Sequence, residues 1–275
     1  MALWPAPQGG SVAAGVVTSA ASAVGVAVIS GAAAHVKGAW TEIVTTTDRA
    51  YDMLTLGFPR NEDTSAADRS SLLDIGFGAA GSERVVVANI LRGNTQGGAT
   101  MQLPIRIPPG TRVSARVQNA GSSADTRITT HLSGNGGWAV GPVARRAVTY
   151  GADTATSGGV GLTPSATNNV KGVWSELTPS TTTASRWLMP RLSGPPGDTS
   201  WVSNEYFVDV GIGAAGSEVV LLPDLPVRTV NTEALIAPHM TFPVDLPAGV
   251  RLSARIAARV AAGVDTINCS VVTFD

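Results

Sequence analysis

The chain has 275 residues, enough for one large domain or for two domains of ordinary size, each with its own core. Its charged fraction is low, at 14%, and its formal net charge is −1, so it has no basic surplus with which to bind nucleic acid through phosphates. A single cysteine, Cys269, excludes an internal disulfide and is predicted to be a small buried residue of a strand.

Residues 1–24 are predicted to form an N-terminal segment outside the folded repeats. Residues 11–34 carry no charge and are rich in Ala, Val and Gly, which raises the question of a membrane span. They contain no Leu or Phe, and no basic residue precedes them, which argues against a membrane helix and against a signal peptide. The sequence therefore predicts no membrane insertion.

Self-similarity organises the rest of the chain. Four blocks occur twice in the same order, with the second copy 134 to 140 residues after the first. Each copy is long enough to hold its own core, so the pattern predicts two tandem domains related by internal duplication, at 25–140 and 141–275. The paired blocks begin at Gly25 and Gly159, Asp74 and Asp209, Ile107 and Leu246, and Asp125 and Asp265.

Within each copy, apolar and polar residues alternate. Val113, Ala115 and Val117 would share one face of a strand, while Arg112 and Arg116 would share the other face. These arginines are predicted to form a solvated face; the less favoured alternative is a ligand-binding stripe. Similar runs predict eight short strands in the first copy, near 25–30, 37–45, 51–58, 70–78, 84–91, 100–107, 111–118 and 125–132, with counterparts in the second. The predicted fold class is all-β, with two tandem antiparallel β-sandwich domains that are jelly-roll-like.

One repeated stretch contains the pattern G-x-G-x-x-G. It reads Asp74-Ile-Gly-Phe-Gly-Ala-Ala-Gly-Ser-Glu83 and again Asp209-Val-Gly-Ile-Gly-Ala-Ala-Gly-Ser-Glu218. A dinucleotide site would need a helix after the glycines, but β-branched runs follow in both copies, and Pro223 follows in the second. The stretch therefore predicts a turn between consecutive strands and no cofactor.

Few residues are arranged for catalysis. The three histidines, His35, His131 and His239, have no counterparts between the repeats and no metal-ligand spacing, so no metal site is predicted. The acidic residues at the two ends of each glycine stretch are candidate carboxylate pairs for a glycosidase; the alternative is that they cap the turn or face solvent. The second interpretation is favoured, so the sequence predicts no catalytic residues and a protein that is not an enzyme.

The aromatic residues offer a second kind of site. Trp40 and Trp174 are equivalent and are predicted to anchor each sandwich core or a subunit contact. Trp187, Trp201 and Tyr206 occur in the second copy alone, and an exposed aromatic ring on a β-sandwich could stack on a sugar. These three residues are the predicted glycan contacts.

The repeated blocks resemble a type of virion protein of tailed bacteriophages and gene transfer agents. The residues that carry the resemblance are the stretch from Leu73 to Val86, the stretch Leu103-Pro-Ile-Arg-Ile-Pro-Pro-Gly-Thr-Arg-Val-Ser-Ala-Arg116, and Asp125-Thr126. It spans roughly 25–132 and 159–274. The resemblance implies a component of a phage-like particle and carries over no catalytic residue.

The sequence therefore predicts a non-enzymatic structural component of a phage-like virion, associated with the tail or its fibres. The nearest variant is a head fibre or capsid decoration protein. The alternatives are a carbohydrate- or receptor-binding module for attachment to the host surface, and a glycan-degrading enzyme. The predicted partners are other virion proteins, further copies of the chain and a host-surface glycan, and the predicted location is the virion, assembled in the bacterial cytoplasm.

Overall fold

The computed structural model describes residues 12–14, 25–59, 70–93, 99–121, 125–134, 144, 146–194, 203–230, 234–236, 240–261 and 266–275. Every helix or strand assigned in these ranges is a β-strand, so the predicted all-β class is confirmed. Among the same residues, no helix is long and apolar enough to cross a membrane.

The first sandwich contains β1 (Val12–Ala14), β2 (Val26–Ile29), β3 (Thr41–Val44), β4 (Met53–Phe58), β5 (Ser70–Phe77), β6 (Arg84–Gly93), β7 (Ala99–Leu103), β8 (Val113–Asn119) and β9 (Asp125–Ser133). One of its sheets has the order β1-β9-β4-β7, with β2 also paired to β9, and is called the β9 sheet. The other has the order β3-β8-β5-β6 and is called the β8 sheet.

The second sandwich contains β10 (Ala147–Tyr150), β11 (Ala152–Asp153), β12 (Gly158–Leu162), β13 (Ser175–Thr178), β14 (Ser185–Ser193), β15 (Asn204–Ile212), β16 (Val219–Val230), β17 (Ala234–Ile236), β18 (Phe242–Leu246), β19 (Leu252–Ala258) and β20 (Ile267–Phe274). Its β20 sheet has the order β11-β12-β20-β14-β18, with β10 also paired to β20. Its β19 sheet has the order β13-β19-β15-β16-β17.

The two sandwiches share one pairing order. The order β2-β9-β4-β7 matches β12-β20-β14-β18, and β3-β8-β5-β6 matches β13-β19-β15-β16. Two four-stranded antiparallel sheets connected in this way form a jelly roll, which confirms the predicted β-sandwich class. The matching order is the arrangement expected of a duplicated module, and the duplication itself stays an interpretation of the sequence repeats.

The predicted alternation is present where it was clearest. Val113, Ala115 and Val117 of β8 are fully buried in the first core, and Leu252, Ala254 and Ile256 of β19 are fully buried in the second. The inward side chains of the β9 sheet complete the first core, and those of the β20 sheet complete the second. Each core therefore lies between the two sheets of its sandwich. On β5, β8, β15 and β19, the residues that alternate with these core residues point outward. They form the surfaces described below.

A buried joint connects the two sandwiches. All eight residues of β20 are buried, whereas burial alternates along the equivalent strand β9. Met189, Val272 and Phe274 point away from the second core and join the core cluster of the first sandwich. The β20 sheet is therefore covered on both faces, by its own sandwich and by the first one.

Polar groups of the joint bond across it. The guanidinium Nε of Arg191 donates to the carbonyl of Leu91 at 2.9 Å, and the hydroxyl of Ser70 donates to the carbonyl of Ser157 at 2.7 Å. Burial, together with the charge of nearby Arg92, lowers the pKa of Arg191 to about 9. These bonds fix the two sandwiches against each other.

Two contacts attach residues outside 25–140 to the first sandwich. Strand β1, which lies within the predicted N-terminal segment 1–24, pairs with β9 from Val12 to Ala14. Ala144 is buried in the first core and bridges to Ile105. The equivalent pairing of β10 with β20 repeats the arrangement of β1 in the second sandwich.

Candidate functional site

The repeated glycine stretch lies at the end of β5, through a turn, and into the start of β6. No helix follows it, in agreement with the predicted turn. Gly78 and Gly81 have φ angles of 127° and 81°, and their counterparts Gly213 and Gly216 have 116° and 81°. These angles are reached without strain by glycine, which explains why the stretch needs this residue at the turn.

Asp74 is the centre of an ionic cluster on the outer face of the β8 sheet. Its carboxylate accepts from Lys37 Nζ at 2.8 Å, Arg116 Nε at 2.8 Å and the backbone N–H of Asn89 at 2.7 Å. The side chain is 3% exposed. The expectation that this acidic residue caps the turn or faces solvent is therefore wrong, because its charge is held in a nearly complete set of donors.

Asp209 repeats this cluster in the second sandwich. It accepts from Lys171 Nζ at 2.6 Å, Arg255 Nε at 2.9 Å and the backbone N–H of Asp224 at 2.9 Å. Burial alone would raise the pKa of Asp209, but the hydrogen bonds from Asp224, Lys171 and Arg255 outweigh it and lower the pKa. The carboxylate is therefore held in its ionised form.

The other acidic residue of each stretch is also paired. Arg112 bridges Glu83 and Glu42, at 2.8 and 2.7 Å. The hydrogen bond from Arg112 lowers the pKa of Glu83, so this carboxyl does not have the raised pKa that a glycosidase general acid requires. The prediction that Arg112 and Arg116 form a solvated face is wrong, because both make ion pairs and both side chains are less than one-third exposed.

Trp40 lies over this cluster, outside the core. The Cζ of Arg116 is 4.5 Å from the centre of its ring, and a Cβ placed on Gly76 would lie 2.8 Å from its Cη2 atom. Ser114, which also points outward on β8, is fully buried. Gly76 therefore provides the flat backbone on which the indole rests, and the ring remains half-buried at the surface.

Trp174 has the same place in the second sandwich. Arg255 lies 4.4 Å from its ring centre, and a Cβ on Gly211 would lie 2.7 Å from its Cη2 atom. Of the two roles predicted for these tryptophans, the core anchor is wrong, since both rings lie on the outer faces of their sheets; the subunit contact stays a prediction. They stack on arginine, a cation–π contact that orients the indole without enclosing it.

An exposed valine lies beside each tryptophan. Val85 pairs with Gly76 across β5 and β6, and Val220 pairs with Gly211 across β15 and β16. They are 41% and 38% exposed, respectively. Directly paired residues share one face of a sheet, so each valine extends the apolar surface of the indole.

The site in each sandwich is called a Trp face and is defined by the indole, the stacked arginine, the central aspartate and the exposed valine. The first Trp face consists of Trp40, Arg116, Asp74 and Val85, and the second of Trp174, Arg255, Asp209 and Val220.

The predicted glycan contacts lie elsewhere. Tyr206 is fully buried in the second core, so its ring is not accessible to a sugar and this prediction is corrected. Trp187 packs against the first core, at the joint. Trp201 lies outside the described residues. The candidate sites in the structure are therefore the two Trp faces and not these predicted residues.

The three histidines and the cysteine are the remaining residues that the sequence analysis considered. His35 Nδ1 is 3.0 Å from the hydroxyl of Ser157, His131 is exposed on β9, and His239 lies outside the described residues. Burial raises the pKa of the Cys269 thiol to about 12, in agreement with its predicted role as a buried residue. Within the described ranges, no group of three or more His, Cys, Asp or Glu could hold a metal ion.

Gly76→Ala is expected to displace Trp40, because the added methyl group would overlap the indole edge. We expect an overpacking cost of about 1–3 kcal/mol in the free energy of unfolding. The indole N–H resonance of Trp40 in a ¹H–¹⁵N spectrum is expected to shift. Gly81→Ala is the matched control: its φ strains the turn, but no atom lies within 4 Å of its Cβ, so the Trp40 resonance should stay in place. An unshifted Trp40 resonance in Gly76→Ala would contradict the contact.

Comparisons with known proteins give distant structural neighbours. No protein-family model matches the chain, and no curated protein matches it. PNGase F, a glycosylasparaginase from Flavobacterium meningosepticum, is 10% identical with a TM-score of 0.36, over 98% of this chain and 96% of that chain. A structure of PNGF-II is 9% identical with a TM-score of 0.38, over 96% of this chain and 65% of that chain. The N-terminal CBM22 tandem domain of Xyn10C from Paenibacillus barcinonensis is 9% identical with a TM-score of 0.24, over 98% of this chain and 91% of that chain.

One prediction is corrected by these neighbours. Since a glycosylasparaginase is among them, the prediction that this chain is not an enzyme is contradicted. At these identities and TM-scores, none of the neighbours assigns an activity, a substrate or a catalytic residue to this chain.

Proposed function

We propose that the chain is a carbohydrate-binding module with one binding surface on each sandwich, the two Trp faces. The observation that carries the proposal is the recurrence of one half-buried tryptophan, held in the same way, on the outer face of both jelly rolls. A tryptophan that served the core alone would lie between the sheets. Here it occupies the opposite side, where a ligand can reach it.

The chemistry of a Trp face suits a sugar ring. The indole and the neighbouring valine offer an apolar platform for the C–H face of a pyranose, and binding sites commonly combine such a platform with a few fixed polar groups. The arginine stacked on the indole is oriented by its bond to the central aspartate, at 2.8 Å in the first face and 2.9 Å in the second. A donor fixed before binding loses little entropy when a hydroxyl group replaces water.

The charges of the first Trp face favour an uncharged glycan. In and around this face, the cations Lys37, Arg112 and Arg116 are matched by three carboxylates, those of Glu42, Asp74 and Glu83, within direct ion-pair distance. Such a cluster has no net charge with which to bind a polyanion. The proposed ligand is therefore a neutral surface polysaccharide, and nucleic acid is not proposed.

The wider setting that we propose is a phage-like particle. The sequence resemblance to virion proteins of tailed phages and gene transfer agents supports this setting, and jelly rolls are used both in viral capsids and in lectins. The module would then attach the particle to a host-surface glycan, from the tail, its fibres or a decoration of the head. Its partners would be other virion proteins, and its location the virion.

The proposal is tested on a glycan array with the intact chain and with the double variant Trp40→Ala/Trp174→Ala. We expect the intact chain to retain a neutral polysaccharide and the double variant to lose it, because each substitution removes the large apolar ring on which the C–H face of the sugar would pack. Ile29→Ala, at a residue that is 51% exposed on β2, is the matched control and should bind as the intact chain does. Retention of the same glycans by the double variant would refute the proposal.

A further inference from the structure

The charged residues around the two Trp faces are nearly the same. In both copies, three carboxylates and three cations form one set of ion pairs around the tryptophan. In the second copy these residues are Glu176, Asp209, Glu218, Lys171, Arg251 and Arg255. Any charge outside this shared set can therefore make the two faces bind different sugars.

The second Trp face has one carboxylate more than the first. Asn89 and Asp224 lie at equivalent register shifts of β6 and β16, with φ angles of 54° and 49°, and the backbone N–H of each donates to the central aspartate of its face. The side chain of Asp224 adds a carboxylate that is 2.8 Å from Lys171 Nζ and 67% exposed. Because Lys171 is already paired with Asp209, at 2.6 Å, the charge of Asp224 is in excess.

A second difference between the copies has the same sign. Arg84 begins β6, next to Val85 of the first Trp face, and is exposed. Its counterpart at the start of β16 is Val219, which is 66% exposed and pairs with β15 as Arg84 pairs with β5. The first Trp face therefore has a cation at its border, whereas the second has an apolar residue there and an excess carboxylate.

The next charges along the outer face of β15 lie too far away to cancel this excess. Arg228 pairs with Glu205 across β15 and β16, and Arg259 lies 3.5 Å from the same glutamate. Glu205 is four residues before Asp209, and four residues of a strand span about 13 Å. That length exceeds the Debye length of about 8 Å at physiological ionic strength. The excess negative charge is therefore local to the second Trp face.

We propose that the second Trp face selects a sugar with a free, protonated amino group, such as a glucosamine residue, and that Asp224 determines this specificity. The inference rests on the proposed function, in which the indole of each face binds a sugar ring. With a ring on Trp174, an ammonium group can pair with the exposed carboxylate, and an aromatic face attracts the same cation. N-acetylation removes this charge. The first face offers the neutral amide of Asn89 instead, so no such selection is expected there.

The test is calorimetric titration with two glucosamine trisaccharides, one with free amino groups and one fully N-acetylated. Trp40→Ala, which leaves only the second face, should bind the free-amine ligand about two- to fivefold more tightly, the factor expected of one exposed ion pair. This preference should shrink as salt is added, because salt screens exposed charges. Trp174→Ala, which leaves only the first face, should show no preference for the free amine.

Exchanging the residue that differs should exchange the specificity. Added to Trp40→Ala, Asp224→Asn should make the affinities for the two ligands equal; added to Trp174→Ala, Asn89→Asp should create the preference for the free amine. Glu205→Gln, which removes a carboxylate that is 48% exposed farther along β15, is the matched control and should leave the preference in place. Thermal unfolding confirms that each variant is folded, and Asp224→Asn in the otherwise intact chain repeats the comparison with both tryptophans present.

Three results would overturn the proposal. They are equal affinities of Trp40→Ala for the two ligands, a preference that survives Asp224→Asn, and no binding of the free-amine ligand to Trp40→Ala. The proposed function is judged separately, by the neutral glycans of the array, so its failure and the failure of this inference are distinguishable.

Discussion

Asp209→Asn is expected to lower the free energy of unfolding by about 3 kcal/mol, at the lower end of the range for removing one partner of a buried ion pair. The side chain is 5% exposed, and Lys171 and Arg255 both lie within 3 Å of it. The amide would leave these two cations beside a neutral group on a partly covered surface. Urea unfolding of both proteins measures the difference.

Asp224→Asn is the matched control for this variant. Asp224 pairs with the same lysine at 2.8 Å, but its side chain is 67% exposed. Exposed pairs contribute about 0–1 kcal/mol, because water and salt screen them. If the two variants lost the same free energy of unfolding, burial of Asp209 would not explain its contribution to stability.

The same carboxylate predicts a dependence on pH. The pKa of Asp209 is lower in the folded chain than in the unfolded chain, so its contribution to stability is fully present above the unfolded value of about 3.9. This contribution is lost as the pH falls below that value and through the folded pKa. Stability of the intact chain should therefore fall more steeply below about pH 4 than that of Asp209→Asn. Parallel curves of stability against pH for the two proteins would contradict an ionised Asp209 at the centre of the cluster.

Met189→Asp is expected to cost about 4 kcal/mol or more, because it places a carboxylate in the joint without a counter-charge. Met189 is fully buried between the two sandwiches and belongs to the core cluster of the first. We expect the loss to appear in the unfolding of both sandwiches, since the joint is part of the first core.

The internal repeat supplies the control for this change. Thr55 has the equivalent position on β4 but lies half-buried at the surface, so Thr55→Asp is expected to change stability by less than about 0.5 kcal/mol. Thermal unfolding followed by circular dichroism compares the two variants. Equal effects would mean that the joint does not form in solution.

The strands were predictable because their signal is local. Alternation along Val113 to Val117 and the breaks at glycine and proline depend on neighbouring residues, and the observed strands β2 to β9 of the first sandwich begin and end within four residues of the predicted ones. The jelly-roll pairing order was not derivable, because it depends on contacts between strands far apart in the chain, such as β2 with β9.

The Trp faces depend on contacts of the same long range. Lys37 and Arg116 reach Asp74 from 37 and 42 residues away, which no local pattern reports. One signal was present: lysine, tryptophan, aspartate and arginine recur at equivalent positions of both copies, as Lys171, Trp174, Asp209 and Arg255. Four polar or aromatic residues retained together in two copies indicate a shared cluster, whereas Tyr206 occurs in the second copy alone.

Calorimetric titration of a short glycan identified on the array shows whether each sandwich carries one carbohydrate site at its tryptophan. A ligand too short to bridge two sites reports the number of sites for each chain. We expect two sites in the intact chain, one in Trp40→Ala, one in Trp174→Ala and none in the double variant. Unchanged stoichiometry and affinity in both single variants would contradict it.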